Sequence, residues 1–292
     1  MIHINSKQIL IPLLAVLMEY SFLDCTGIQK KTESSSQNVD FLIKQGKITW
    51  NQRTDSLSLK RAEHFTGLAH VNRPDNFEVA VLYGRILYTR ALFYETDPDL
   101  QDELFTQGYK ICQSAVMSHS EFAPIYENAK GDSTSKLLSA LEKAPKSVVS
   151  GLYWWIENFT RHINTKPAIE RLNYRDLVEI IMFRILTLDP GYHYSGPYRF
   201  FGSLYTRIPG IELSQSETYF NQALSNHANY LGNAVHMAEF YHQKAGNREQ
   251  FHKILKDVIK TKLTEFPEVM VENLLYQKRA QYLLSREPLL FE

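Results

Sequence analysis

Three groups of residues in this sequence have types and spacing that could do chemistry. The first is His236-x-x-Glu239-x-x-His242. Two imidazoles and a carboxylate are zinc-ligand types. On a helix of roughly 3.6 residues per turn, however, positions i and i+6 do not share a face. The reading is therefore polar residues on the outer side of a helix that also carries Ala234 and Ala238, with no metal site. No Gly-rich phosphate loop, GxGxxG, GxSxG, CxxC or EF-hand loop occurs, and the carboxylates are not visibly paired on aromatic walls. Nothing in the sequence assigns a catalytic residue or implies a cofactor. The expectation is a binding or assembly component, not an enzyme.

The second group is Tyr153-Trp154-Trp155 with Phe159. A helix places these rings on more than one face, so at least one indole is expected to look into a cavity, an interface or a groove. The third is the segment 189–202, with Gly191, Gly196 and Gly202 among Tyr192, His193, Tyr194 and Arg199. It reads as a loop whose turn residues bring backbone close to something. Arg199 and His193 could meet an anionic ligand; the alternative is a loop packed under its own rings. Trp154, Trp155, Tyr192, His193, Tyr194 and Arg199 are the candidate ligand-binding residues.

The elements that must position these groups are helices. Ala80, Gly84, Leu87 and Ala91 form a small-residue stripe at helical spacing. Leu177, Ile180, Ile181, Ile185 and Leu188 make an apolar face. Leu231, Ala234, Ala238, Tyr241 and Ala245 make a second small face, followed at once by a larger one, Phe251, Ile254, Leu255, Val258 and Ile259. Small against large is how antiparallel helices nest. Ser214 with Glu217, and Asn247 with Gln250, have capping-box spacing. Pro145, Pro167 and Pro267 open helices, and Asp-Pro at 97–98 and 189–190 marks stops. About a dozen helices and no strand are expected. Phe220-x-x-Ala223-Leu224 and Phe65-x-x-Leu68-Ala69 resemble the second helix of a TPR unit, without a clean 34-residue period. The fold class is all-α, with degenerate TPR-like antiparallel pairs stacked into one superhelical domain over 39–292.

Thirty-two basic and 32 acidic side chains cancel, so the chain lacks the electrostatic footprint of a nucleic-acid binder. The N-terminus reads as an export signal. Ile9 to Met18 is an apolar run interrupted only by Pro12, shorter than the roughly 20 residues of a membrane span. Leu23-Asp24-Cys25 follows, and a leucine shortly before a cysteine is similar to a bacterial lipobox, although Asp24 replaces the usual small residue. Cys25 is thus the candidate lipidation site at the end of a signal segment, 1–25. Residues 26–38, with three consecutive serines, read as a flexible tether. Cys112 reads as a small buried hydrophobe.

Several stretches together resemble the TatT family, the T component associated with TRAP (tripartite ATP-independent periplasmic) transporters. They are Leu82 to Pro98, Gly151 to Phe159, 191–210 ending Leu204-Tyr-Thr-Arg-Ile-Pro-Gly210, 220–259, and Asn273 to Leu284. The resemblance implies an exported, lipid-anchored periplasmic helical protein. It implies an oligomeric partner of a periplasmic solute-binding protein, with a pore or cavity able to hold a small hydrophobic or organic-acid ligand. The alternative is an envelope TPR scaffold for protein–protein interaction without a ligand.

Overall fold

The computed structural model describes residue 35 and residues 37–292. The signal segment 1–25 with Cys25, and the tether 26–38 short of its last residues, lie outside them. Fifteen helices, α1 to α15, follow one another, and no strand occurs among the described residues. Helix α1 covers 37–51.

The next helices start where a short polar side chain can accept a free backbone N–H. Asp55 accepts from Ser58 N at 2.7 Å and opens α2 (Ser56–Asn72). Asn76 accepts from Val79 N at 3.0 Å and opens α3 (Phe77–Phe93). Asp97 caps α4 (Pro98–Ser118), with Pro98 in its first turn. Asp97-Pro98 is therefore a start and not a stop; α3 has already ended at Phe93. After α5 (Ala123–Asn128), Asp132 caps α6 (Ser133–Leu141).

A 3₁₀ turn at Lys146–Val148 leads from Pro145 into α7 (Val149–Ile163). Then come α8 (Ala168–Leu172), α9 (Arg175–Leu188), α10 (Tyr192–Tyr205) and α11 (Leu213–Asn226). The capping box expected at Ser214 and Glu217 does not form. Helix α11 begins after Glu212, so Ser214 is already inside the first turn. Helix α12 (Leu231–His236) runs directly into a π turn, Met237–His242. Asn247 accepts from Gln250 N at 3.1 Å and opens α13 (Arg248–Lys260); α14 (Met270–Ser285) and α15 (Glu287–Leu290) complete the chain.

Neighbouring helices pack in antiparallel pairs, α2 on α3, α3 on α4, α4 on α7, α10 on α11 and α13 on α14. The larger core lies among α3, α4, α7, α9 and α10, around Leu87, Val116, Leu152 and Ile181. A second lies among α12, α13 and α14, around Val235, Phe251 and Leu255. The stripe Ala80, Gly84, Leu87 and Ala91 is buried throughout. The stripe from Leu231 is not continuous: Ala245 is exposed. The π turn accommodates an extra residue and rotates the face, bringing Phe240 and His242 inward instead.

Small residues set the closest approach. A Cβ on Gly108 would lie 2.5 Å from Asn158 Oδ1. The Asn158 amide meanwhile donates to Gly84 O (3.2 Å) and Trp154 O (2.7 Å), tying α7 to α3. Gly108→Val should destabilise the protein by about 2 kcal/mol or more through overpacking, read as a lower midpoint in urea unfolding. A change within about 0.5 kcal/mol would show that α4 and α7 can simply separate.

Candidate functional site

The segment 189–202 is not the loop its turn residues suggested. His193, Tyr194 and Ser195 have φ of 47°, 57° and 62°, one turn of left-handed backbone, and a right-handed helix resumes at Gly196-Pro197. Each such residue costs roughly 1–2 kcal/mol for an L side chain, so the surroundings must hold the turn. Arg199 does so. Its guanidinium donates to Tyr194 O (3.2 Å), His193 O (3.4 Å), Asn233 Oδ1 (2.8 Å) and the Tyr153 hydroxyl (2.9 Å). Gly196 is required because a Cβ there would sit 2.6 Å from the Tyr153 hydroxyl oxygen. Ser195 Oγ lies 2.8 Å from His227 Nδ1, but Ser195 is 0% exposed; the pair fastens the turn and meets no substrate.

The left-handed turn pushes the His193 ring into a small cavity walled by Trp50, Tyr88, Phe93, Trp154, Tyr230 and Tyr276. Its charges are satisfied internally. Arg53 and Arg85 (Nη2, 3.0 Å) both donate to Glu272 Oε1, and the Arg85 guanidinium lies 5.1 Å from the Trp50 ring and 5.2 Å from the Trp154 ring. Burial, then the positive charges of Arg85, Arg199 and Arg53, hold the His193 pKa well below its ordinary value. This is a tight aromatic compartment around a neutral imidazole, with room for about one or two waters.

A second, narrow cavity opens between α7, α10 and the π turn. Glu157, Arg161, Phe200, Arg207, His236 and Phe240 line it. It shares Thr160, Asn164, Leu204 and Arg207 with a neighbouring space of about 470 Å³ that Arg171 and Arg175 border. Arg161 and Arg207 both sit against the Phe240 ring, at 5.8 and 4.9 Å. Burial, then the nearby Arg161, pulls the Arg207 pKa down to about 10.

Glu157 stands between the two compartments. Tyr153 donates to its Oε1 (2.8 Å) and Tyr88 to its Oε2 (3.1 Å), and Arg199 reaches it through the Tyr153 hydroxyl. Across the same partition, His236 Nε2 lies 3.5 Å from the Tyr276 hydroxyl.

The candidates chosen from sequence are therefore only partly together. Trp154 and His193 line the aromatic cavity. Tyr192 packs edge-on against Tyr153 (5.1 Å), and Tyr194 stacks on Tyr230 (4.7 Å); both stand beside the cavity. Trp155, 1% exposed, belongs to the main core, because adjacent residues on a helix point about 100° apart. Arg199 is 2% exposed and its donors are engaged by the turn, so it does not await an anion. His236 and His242 are buried, not on the outer side of their helix. Glu239 is taken by Arg279, and no group of three metal-ligating side chains assembles among the described residues.

Sequence reasoning missed Trp50, Arg53, Arg85, Glu272, Glu157, Arg161, Arg207 and Phe240. Part of the signal was present: Trp154, Glu157 and Arg161 fall at i, i+3 and i+7, one stripe of α7. The polar groups of the partition are mutually engaged: Glu157 accepts from Tyr153 and Tyr88, and Tyr153 from Arg199. No helix among the described residues is long and apolar enough to cross a membrane. No curated protein matches the sequence. Residues 95–291, well over half of the chain and including the whole basic cavity, match the TRAP transporter T-component family, and the protein belongs to that family.

Proposed function

We propose that the protein is an accessory subunit of a TRAP-type uptake system that docks a periplasmic solute-binding protein and holds a small hydrophobic or organic-acid ligand in its paired cavities. The observation that carries this reading is the family match over 95–291, a stretch that contains Glu157 and every residue lining the basic cavity. The reading includes self-association, export through the segment 1–25 and anchoring through a lipidated Cys25.

The test is affinity purification of tagged, full-length protein from envelope extract after mild cross-linking. A solute-binding protein should be recovered in a stoichiometric band. Repeated recovery of other envelope proteins without one would favour a ligand-free scaffold and reject the docking role.

A further inference from the structure

We propose that the open groove between α8, the 206–212 loop, the π turn and α15 is the docking face for the solute-binding protein, and that it receives an acidic, partly apolar segment of that partner. The inference rests on the docking reading and gives it a place and a chemistry.

The groove has a volume of about 870 Å³ and opens to solvent. Ile208, Pro209, Ile211 and Leu213, from the loop and the start of α11, supply its apolar surface together with Phe240 and Leu290. A flanking space adjoins it through Arg171, Arg207, Ile208 and Pro209. On that flank α8 leaves Ile169 78% and Leu172 44% exposed. Large apolar side chains left in water beside a groove mark a face that something covers.

The charge says what covers it. Arg171, Arg207 and Lys244 line the groove, and none of them forms an ion pair among the described residues. Arg207 and Lys244 are exposed. Of the two lining carboxylates, Glu239 is held by Arg279 and only Glu212 is unengaged. Three cations against that one carboxylate leave an excess of two positive charges on the rim. Deeper beneath the π turn, Arg161 and Glu157 offset one another in charge.

A basic rim around an apolar floor complements a segment with the reverse pattern, carboxylates flanking apolar side chains. Arginine is also among the residues that carry binding energy at protein interfaces. A second copy does not fit, because a two-fold contact through this face would set arginines against arginines. Nor does a bilayer, which is flat where the groove is concave.

The experiment is the affinity purification from cross-linked envelope, run with the full native chain, Arg171→Glu/Arg207→Glu and Arg171→Lys/Arg207→Lys. Recovery of the solute-binding protein should fall at least about tenfold with the glutamate pair, because like charges then face each other across the interface. It should stay within about threefold with the lysine pair, which keeps the charge. High salt should weaken the native complex. Melting curves establish that each variant is folded; Lys244→Glu, a single change at an exposed position, should lower recovery in the same direction. Equal recovery from all three chains, or equal loss with both pairs, would overturn the acidic segment and leave docking standing. No solute-binding protein with the native chain would reject docking itself, and this face with it. Sedimentation of the native chain, and not of the glutamate pair, with phosphatidylglycerol vesicles would assign the rim to an anionic membrane and overturn the protein partner.

Discussion

Arg199→Met should lower the free energy of unfolding by roughly 3–5 kcal/mol, the range for removing one member of a buried charge pair. Arg199 and Glu157 form such a pair bridged by the Tyr153 hydroxyl. Removing the guanidinium leaves Glu157 buried without its bridged counter-charge. It also leaves Asn233 Oδ1 and His193 O without the donor that Arg199 supplied. At the same time, the left-handed turn loses the group that holds two of its three carbonyls. Arg199→Lys keeps the charge, but its compact ammonium with three donors cannot reach the four acceptors that the guanidinium fork spans, so it should recover less than half of the loss. For a chain of this length the methionine variant should melt about 5–8 °C lower. Chemical unfolding checks both. A methionine variant within about 1 kcal/mol of the native protein would show that the turn holds itself and that packing alone sets it.

Stability should also fall steeply in mild acid. Burial, with arginine charges next, depresses the pKa values of His193 and His236 well below the ordinary imidazole value. Their unfolded pKa is about 6.5. Below that pH the unfolded chain takes up two protons that the folded chain refuses, so the unfolded state gains. The contribution is intact above pH 7 and is lost as pH falls from about 6.5 towards the depressed folded values. Between pH 7.5 and 5.5 the linkage amounts to about 1.4 kcal/mol per histidine, or about 2.7 kcal/mol for the two. His70 and His242, depressed by burial, act in the same direction. Glu287, whose carboxyl is held low by Arg248 and His252 against its own burial, adds its loss only at more acid pH. Urea midpoints across this range give the slope, and His236→Gln should remove about half of the two-histidine effect. A slope identical in that variant would mean that His236 takes up its proton in the folded protein as readily as in the unfolded chain.

The helical architecture could be read from periodicity because it depends on local pattern. Ala80, Gly84, Leu87 and Ala91 are buried as a stripe, and Asn247 caps α13. What could not be read is wherever a distant contact overrides local preference. The run from His193 to Ser195 contains no glycine, and Arg199, with His227 and Asn233 more than thirty residues on, makes its left-handed backbone tenable. The cavity arginines were equally invisible. Arg53 and Arg85 meet Glu272 from opposite ends of the chain, and no spacing rule connects them. Arg199 drew attention by its neighbours and proved to be a brace, whereas Arg207, just past the end of α10, borders the cavity beneath the π turn.

The π turn at Met237–His242 bears on how the chain can change length. A π turn holds about one residue more than the α turn it replaces. It is what a single-residue insertion leaves behind when both ends of a helix are pinned, here by α11 below and α13 beyond. Phe240, the ring between the two cavity arginines, is carried by that surplus residue's worth of backbone. Counting repeats along such a chain slips by one wherever a surplus has been absorbed in this way.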